Sequence, residues 1–329
     1  DCQPVNHYFC KRFLRIPGTV RRPASYYIVN CCFKEAERMD AQKTYRFSII
    51  GGDMRNVKLS ELLSEDGHEV HTFALDNTGK ISQRCSDLRE AFALSDIAVG
   101  PMPFTSGDGT YLNAPFHPEK IEIAKIADVI RESSFGGLLI GGRIPLALSG
   151  VGAVSADLLQ RDDLAVLNSV PTAEGALQIA MEELPYTIRG LRTVVCGMGR
   201  VGSTLARLMQ RVGADVTVAA RSSRDFAICE AEGLKSCTYS HLRRILPEAL
   251  LVYNTVPALI FDRELLDCMN REALLIDLAS MPGGTDFEYA AKRRIRTIHA
   301  LSLPGKVAPA GAAQIIQKVI YNILHEKNM

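Results

Sequence analysis

The feature that most constrains the fold is a glycine-spaced turn, GMGRVG at residues 197–202, between a predicted strand and a predicted helix. The apolar run at 193–196 precedes it, the helix extends to about Val212, and a second strand is predicted over 215–220. In this setting the glycines permit a tight turn, a close backbone approach to a pyrophosphate, and close packing of helix on strand. The helix N-terminus presents free N–H groups to the phosphates. The spacing therefore predicts a dinucleotide-binding unit.

The residues after the second strand indicate which dinucleotide is bound. A carboxylate at this position would bind the ribose 2′-hydroxyl of NAD, but the chain reads Arg221-Ser222-Ser223-Arg224. Two guanidinium groups and two hydroxyls suit a 2′-phosphate. NADP is therefore the expected cofactor and NAD the alternative; the competing interpretation is that Arg221 and Arg224 form a solvated surface pair.

Alternating strands and helices predict an α/β protein with two doubly wound, Rossmann-like domains and a cleft between them. One alternating run covers about 45–165 and the other about 190–305. Helices at 172–184, with Thr172 as the expected cap, and at 311–325 are predicted to join the domains, the last one returning to the first domain. The expected division is a substrate domain at 39–168 plus 309–329 and a cofactor domain at 169–308.

Composition narrows the class of protein. The net charge is +1, which argues against a nucleic-acid-binding surface built on bulk charge. No run of 18 apolar residues is present, so no membrane span is predicted. The nine cysteines include no CxxC pair, so no metal site is predicted. Residues 1–38 show no helical or strand period and precede Met39; they are expected to be a non-native or disordered extension, the alternative being a basic targeting arm.

Seven strings carry a resemblance to a known family. They are IIGGDMR (49–55), RDDLAVLNSVPTAEGA (161–176), CGMGRVGSTLAR (196–207), GADVTVAARSS (213–223), YNTVPAL (253–259), DLASMPGGTDF (277–287) and LPGKVAP (303–309). Together they closely resemble the family of the dipicolinate synthase A subunit from endospore-forming bacteria, over about residues 45–325. The PTAEGA and ASMPGGTDF strings are the most specific of them.

The resemblance implies a reaction: oxidation of dihydrodipicolinate, derived from the lysine-pathway precursor, to dipicolinate during sporulation, with NAD(P)⁺ as hydride acceptor. It also implies that the partner is the flavoprotein-like B subunit, that the protein is an oligomer, and that it works in the mother-cell cytoplasm. Two alternatives stay open. One is another two-domain NAD(P)-dependent dehydrogenase of 2-hydroxy or 2-amino acids, against which the lack of a clear His after the penultimate strands counts; the other is a non-catalytic nucleotide-binding scaffold.

The strand ends of the second half supply further expected cofactor contacts. Thr255 and Pro257 end a strand where related dehydrogenases contact the nicotinamide ribose, and Asp277 to Ser280 end the next one. The full set of expected contacts is Gly197, Gly199, Arg200, Val201, Gly202, Arg221, Ser222, Ser223, Arg224, Thr255, Val256, Pro257, Asp277 and Ser280.

A substrate with two carboxylates requires guanidinium, amine, hydroxyl or free N–H groups at strand ends facing the cleft. The expected substrate contacts are Arg55, Thr105, Ser106, Arg143 and Lys306. The family pattern would place Lys-Thr-Ala-Gly after Pro309, whereas this chain has AGAA at 310–313. If the family lysine binds an anion, Lys306 would have to serve instead.

The catalytic acid or base is not fixed by the sequence. Glu174 in the PTAEGA string, Asp53 in the Gly-Gly-Asp turn and Asp286 are the three candidates. The alternative role for Asp286 is to cap the following helix, and that for Glu174 is to anchor the linker helix. His299 ends a strand but is not favoured as a base. The Gly-Gly-Asp turn lacks spaced glycines, so it is expected to face the cleft rather than to bind a second dinucleotide.

Overall fold

The computed structural model describes residues 43–76, 83–133 and 135–329. The extension expected over residues 1–38 lies outside this part of the chain. Residues 45–329 form one compact unit that contains two six-stranded sheets. In the described ranges, no helix is both long enough and apolar enough to cross a bilayer.

The first sheet is parallel and has the order β3-β2-β1-β4-β7-β8. Its domain contains β1 (Arg46–Ile50), α1 (Met54–Glu65), β2 (Glu69–Phe73), β3 (Gln83–Arg84), α2 (Leu88–Ala93), β4 (Ile97–Val99), β5 (Thr105–Ser106), β6 (Tyr111–Leu112), α3 (Ile123–Glu132), β7 (Leu138–Gly141) and β8 (Val154–Asp157). Strands β5 and β6 form a separate antiparallel hairpin. The apolar strands β1, β4 and β7 are buried because helices cover both faces of a parallel sheet.

The second sheet repeats this arrangement with the order β11-β10-β9-β12-β13-β14. Its elements are α4 (Asp162–Glu183), β9 (Arg192–Cys196), α5 (Arg200–Arg211), β10 (Asp215–Ala220), α6 (Ser223–Ala231), β11 (Lys235–Thr238), α7 (Leu242–Ile245), β12 (Leu251–Asn254), α8 (Arg263–Asp267), β13 (Leu274–Asp277), α9 (Phe287–Lys292), β14 (Arg296–His299), α10 (Leu303–Val307) and α11 (Pro309–Glu326). The prediction of two Rossmann-like domains is confirmed. In such sheets ligands bind where the strand order reverses, beyond the carboxyl ends of the strands. These points lie between β1 and β4 and between β9 and β12.

The linker helix α4 is longer than predicted. It begins at Asp162 rather than at Thr172, so Thr172 is not its cap, and Pro171 lies inside it. Proline removes one helical hydrogen bond, but the helix is packed on both sides of it. Leu164 belongs to the core of the first domain and Ala173 to that of the second. Burial on both sides therefore outweighs the local preference for a break.

Helices α4 and α11 join the two domains. Residues Ala313 and Ile316 of α11 pack in the core of the first domain, whereas Leu303 of α10 packs in the core of the second. The ends of the joining helices are tied by Arg161, which bonds Asp163 at 2.7 Å and Glu326 at 2.5 Å. The chain thus leaves the first domain along α4 and returns to it along α11.

Candidate functional site

The glycine turn has the geometry of a dinucleotide-binding loop. Gly197 has a φ of +98°, and a Cβ on it would lie 2.6 Å from Thr255 Oγ1. A Cβ on Gly202 would lie 2.2 Å from the carbonyl oxygen of Gly197. In contrast, a Cβ on Gly199 would meet no atom within 4 Å. Two glycines are thus required by the protein's own packing, while Gly199 leaves open space over the N-terminus of α5, where a pyrophosphate fits.

The side chain of Thr255 packs against this turn. Its hydroxyl donates to the Cys196 carbonyl at 2.7 Å, and its side chain faces the Cα atoms of Gly197 and Gly202. The neighbouring Val256 is half-buried and Pro257 exposed, at the carboxyl end of β12. On the opposite side of the turn, the side chain of Arg200 pairs with Asp162 at the start of α4. The backbone of residues 200–202, including Val201, forms the first turn of α5, whose N–H groups have no partner inside the helix.

The prediction that Asp277 contacts the cofactor is wrong. Its carboxylate is fully buried and accepts four hydrogen bonds, from Asn254 Nδ2 (3.0 Å), Ala279 N (3.0 Å), Gly284 N (2.8 Å) and Thr285 Oγ1 (2.7 Å). These bonds fold the loop after β13, so Asp277 acts on that loop and not on a ligand. Ser280 lies in the same loop and is exposed.

No Asp or Glu occurs among residues 219–224 at the end of β10, and the nearest acid along the chain is Asp225 in the first turn of α6. Arg221, Ser223 and Arg224 are exposed, and within the described residues neither arginine forms an ion pair. Ser222 caps α6 by accepting from the Asp225 backbone N–H at 3.1 Å, which leaves its own hydroxyl hydrogen free to donate. The four residues therefore form a cationic edge with available donors beside the glycine turn.

At the switch point of the first sheet, Asp53 and Arg55 form a close ion pair. Asp53 caps α1 through the Arg55 backbone N–H at 2.9 Å, and Arg55 Nη2 donates to Asp53 Oδ2 at 2.8 Å and to the Met102 carbonyl at 2.5 Å. Burial raises the pKa of Asp53, but the hydrogen bonds and charge of Arg55 outweigh it and hold that pKa below its ordinary value. A general base needs a pKa near the working pH. The pairing therefore disfavours Asp53 as a base, and its catalytic role stays a prediction.

Helix α10 lies against this ion pair. A Cβ on Gly305 would lie 2.9 Å from Arg55 Nε and 3.2 Å from Asp53 Oδ2. On the other side of α10, a Cβ on Gly175 of α4 would lie 3.1 Å from both methyl groups of Val307. Two close glycine contacts thus hold α10 between the first domain's ion pair and the linker helix.

Two other acid–base candidates have structural partners. Asp286 caps α9 by accepting from Tyr289 N at 2.9 Å, and its carboxylate lies 3.8 Å from Arg263 Nε. His299 Nε2 donates to the Ala279 carbonyl at 2.9 Å. The expected role of Asp286 as a helix cap is what the structure shows, and its catalytic role stays a prediction.

Glu174 is exposed on α4, on a different face from the Gly175 contact with α10. No hydrogen bond or ion pair of its carboxylate is found within the described residues. Its catalytic role remains a prediction.

The remaining expected substrate contacts follow strands of the first sheet or lie in α10. Thr105 is half-buried and Ser106 exposed in the hairpin after β4; Arg143 is exposed after β7, with its backbone N–H bonded to Asp157 at 2.9 Å. Lys306 is exposed and directly follows Gly305. The Gly-Gly-Asp turn uses the N–H groups of Gly51 and Gly52 for the Phe73 and Asn113 carbonyls, both at 2.8 Å. Two of its N–H groups are thus unavailable to a phosphate.

Sequence reasoning missed three features. The Asp53–Arg55 pairing could have been anticipated from the helix-capping pattern of an acid just before a helix. The pair formed by His117 Nδ1 and Asp76 Oδ2 at 2.5 Å and the enclosed side-chain oxygen of Asn168 carry no local motif. In the described ranges, no three His, Cys, Asp or Glu side chains converge as metal ligands would.

Comparisons of this chain with family models and with a known relative agree with one another. A family model described as the N-terminal domain of the dipicolinate synthase A subunit matches residues 46–151, and one described as the NAD binding domain of D-isomer specific 2-hydroxyacid dehydrogenases matches residues 170–280. The chain is 32% identical over 290 residues to the dipicolinate synthase A subunit of Bacillus subtilis (strain 168), covering 85% of this chain and 96% of that protein.

Two solved structures agree with this. The crystal structure of the dipicolinate synthase A subunit from Bacillus halodurans has a TM-score of 0.78 at 30% identity, covering 85% of this chain and 97% of that one. The A chain of dipicolinate synthase from Bacillus subtilis has a TM-score of 0.77 at 30% identity, covering 86% and 97%.

Proposed function

Because the chain belongs to the family of the dipicolinate synthase A subunit, we propose that it oxidises dihydrodipicolinate to dipicolinate with NADP⁺ as hydride acceptor. The observation that carries this proposal is the glycine turn, with open space over Gly199, together with the carboxyl edge of the first sheet, which carries the Asp53–Arg55 pair. A nicotinamide-dependent oxidoreductase needs such a phosphate-binding turn beside a separate substrate edge.

The chemistry divides between the cofactor and the chain. Bound at the glycine turn, a nicotinamide supplies the hydride acceptor. Oxidation of the dihydropyridine ring also releases a proton, and the product is an aromatic pyridine dicarboxylate. Among the three carboxylates considered as proton acceptors, Glu174 is the one without a hydrogen bond within the described residues, so we keep it as the proposed acceptor.

The two carboxylates of the substrate need cationic and hydroxyl partners. Arg55 is buried, and Asp53 neutralises its charge. The Arg55 guanidinium therefore offers a substrate carboxylate directional N–H donors rather than net electrostatic attraction. Lys306 is exposed on α10 directly after Gly305, which faces Arg55, and it supplies net positive charge. We propose that Arg55 and Lys306 bind one carboxylate, and that Thr105, Ser106 and Arg143 serve the other.

The preference for NADP follows from the end of β10. Arg221 and Arg224 form no ion pair within the described residues, and residues 219–224 contain no carboxylate that would oppose a 2′-phosphate. We expect Arg221→Ala to raise the Michaelis constant for NADP⁺ at least about tenfold, the value of one charge-assisted contact, and to leave that for NAD⁺ within about twofold. Arg271→Ala, an exposed arginine elsewhere, is the matched control. A wild-type preference of tenfold for NAD⁺ would refute the assignment.

The partner and location are proposed from the family. We propose that the chain works with the flavoprotein-like B subunit, within an oligomer, in the mother-cell cytoplasm of a sporulating bacterium. Co-purification of the natural protein from sporulating cells tests this. Recovery of the chain at every stage without the B subunit would contradict the partnership.

The reaction itself is tested by a spectroscopic assay. The lysine-pathway synthase product and NADP⁺ are mixed with the chain, with and without its B subunit, and growth of dipicolinate and NADPH absorbance is followed. The proposal predicts both signals, and their loss in Gly199→Asp. Oxidation of a 2-hydroxy or 2-amino acid instead would favour the other dehydrogenase class, and unchanged activity in Gly199→Asp would indicate a non-catalytic scaffold.

A further inference from the structure

Strand β8 is the last strand of the first sheet, and within the described residues no strand pairs with its outer side. The Val154 N–H donates to the Gly137 carbonyl at 3.2 Å. Because backbone groups alternate in direction along a strand, residues 154 and 156 point theirs toward β7, whereas residues 153, 155 and 157 point theirs outward. No hydrogen bond of these three outward N–H groups is found in the described part of the chain. The strand therefore presents a row of backbone groups on which another strand can pair.

The usual protection of an edge strand is missing from β8. Edge strands commonly carry charged side chains, lysine above all, that prevent pairing with another chain. The other three edge strands of the two sheets each contain a basic residue, namely Arg84 in β3, Lys235 in β11 and Arg296 in β14. In contrast, residues 144–160, which include β8, contain one charged side chain, that of Asp157.

This single charge is held by its own loop. The Asp157 carboxylate accepts from the backbone N–H groups of Arg143 at 2.9 Å, Ile144 at 3.1 Å and Leu159 at 2.9 Å. In the same segment three large apolar side chains are exposed: Leu146 at 90%, Val154 at 54% and Leu159 at 45%. A group of exposed apolar side chains is typical of a surface that another protein covers.

We propose that β8 pairs with β8 of a second copy of this chain, antiparallel and about a two-fold axis. A two-fold interface brings one surface against itself, so that surface must be self-complementary. With Ser155 on the axis, residue 153 of each copy lies opposite residue 157 of the other. Hydrogen-bonded pairs recur at every second residue of an antiparallel ladder. All three outward N–H groups of each copy therefore face outward carbonyl groups of the other, and the two sheets become one.

The same register matches the side chains. Val154 lies opposite Ala156 of the other copy in a pair without hydrogen bonds, where the Cα atoms are about 4.5 Å apart and the apolar side chains contact each other. Each Asp157 lies opposite Ala153, so the two carboxylates do not face each other, which would be destabilising. The sequence of β8 thus complements itself, and this is why a second copy is the proposed occupant. The inference does not depend on the proposed reaction.

Ser155→Pro tests this pairing. Proline removes the outward N–H at the axis, and it is tolerated on an edge strand where the N–H faces solvent, so the pairing of β8 with β7 should persist. The mass of the full chain is measured by light scattering after size-exclusion chromatography. We expect the wild type to have twice the mass of Ser155→Pro at equal concentration. Ser155→Thr, which keeps the N–H, is the matched control and should have the wild-type mass.

A covalent link tests the register. In a hydrogen-bonded antiparallel pair the Cα atoms are about 5.5 Å apart, which is within the range of about 4.4–6.8 Å that a disulfide spans. Mild oxidation of Ser155→Cys should therefore give a dimer whose peptide map links position 155 to position 155. Ser236→Cys, at an exposed serine of the edge strand β11, is the control and should not link to itself.

An unchanged mass in folded Ser155→Pro, or the absence of the link at position 155, would overturn the proposal. If Ser155→Pro does not fold, the link alone decides. A wild type that is a monomer, and that loses binding of the B subunit in Ser155→Pro, would assign this edge to a different partner and would also overturn the proposal.

Discussion

At the scale of single residues, the three glycines of the turn at 197–202 have different reasons to be glycine. Gly199 has ordinary φ and ψ of −74° and −166°, with open space at its Cβ position. Gly199→Ala should therefore fold with an unchanged melting temperature and bind NADP⁺ at least about tenfold more weakly, because the methyl group occupies the space of the phosphates. Calorimetric titration and thermal unfolding measure both.

Gly202→Ala should fail differently, because its Cβ would lie 2.2 Å from the Gly197 carbonyl oxygen. This variant should lose stability as well as binding. Gly136→Ala, where a Cβ also meets no atom within 4 Å, is the control and should behave as wild type. Wild-type affinity in Gly199→Ala would contradict the placement of the phosphates.

Asp53 is predicted to contribute to stability through Arg55 rather than to accept a proton. Asp53→Asn leaves a buried guanidinium with weaker hydrogen-bond partners and no counter-charge, which should lower the free energy of unfolding by about 1–3 kcal/mol. Because the pKa of Asp53 is lowered, this contribution is present at pH values above the ordinary carboxyl range and is lost as the pH falls through the folded-state pKa. Urea unfolding at pH 7 measures it.

Asp128→Asn is the matched control, since Asp128 pairs with Arg131 on the exposed surface of α3. Exposed pairs contribute about 0–1 kcal/mol. If Asp53→Asn costs no more than this control, the ion pair does not hold the start of α1.

At the scale of elements, the contact between α11 and the turn after α1 depends on a neutral histidine. His68 Nδ1 accepts from the Tyr45 N–H at 3.4 Å, and His68 Nε2 donates to the Tyr321 hydroxyl at 3.1 Å, which itself donates to Asp66 at 2.6 Å. Burial lowers the pKa of His68 from its ordinary 6.5, partly opposed by Asp66. The folded state therefore binds fewer protons than the unfolded state just below pH 6.5.

Stability should consequently fall as the pH drops below about 6.5 and stop falling, for this group, below the folded-state pKa. His68→Gln keeps an N–H donor but does not titrate. Its melting temperature should lie below that of wild type at pH 7.5, with the difference shrinking toward pH 5.5. A constant difference across this range would exclude His68 as the titrating group.

The helices and strands also show which structural features local sequence patterns predict and which they miss. The sequence predicts the strand at 215–220 with the bounds that the structure has, because its apolar run and flanking turn are local signals. It misses the start of α4 because Pro171 and Thr172 resemble a helix start, whereas packing against two cores keeps the helix continuous. The assignment of Asp277 fails for a similar reason. Its position at a strand end suggests ligand contact, and only the folded loop shows its four donors.

At the scale of the whole molecule, the position of α10 depends on Gly175. A valine there would overlap Val307 and Leu303, whose atoms lie 3.1 and 3.2 Å from an added Cβ. Gly175→Val should displace α10 and lower kcat at least about tenfold, since misplacement of about 1 Å costs that much or more, while NADP⁺ affinity stays within about twofold. Gly311→Ala, whose nearest atom would be 4.0 Å away, is the control. Full activity of Gly175→Val would show that α10 does not position the site.

The two-domain architecture is predictable because alternating strands and helices restrict the topology strongly. The contact of Gly305 with Asp53 and Arg55 is not predictable from local patterns, because Gly305 is about 250 positions from the other two along the chain. It meets them only where the chain returns to the first domain. Local motifs identify the nucleotide-binding domain, and the return of the chain brings α10 against the Asp53–Arg55 pair of the first domain.

The most direct test of nucleotide binding at the glycine turn is a calorimetric titration of NADPH into the full chain, with and without pyridine-2,6-dicarboxylate. We expect saturable binding of NADPH, and this binding should tighten when the dicarboxylate is present, because two ligands proposed to share one cleft affect each other's affinity reciprocally. The Gly199→Ala variant should bind NADPH more weakly. Binding of neither NADPH nor NADH, or binding that Gly199→Ala leaves unchanged, would contradict it.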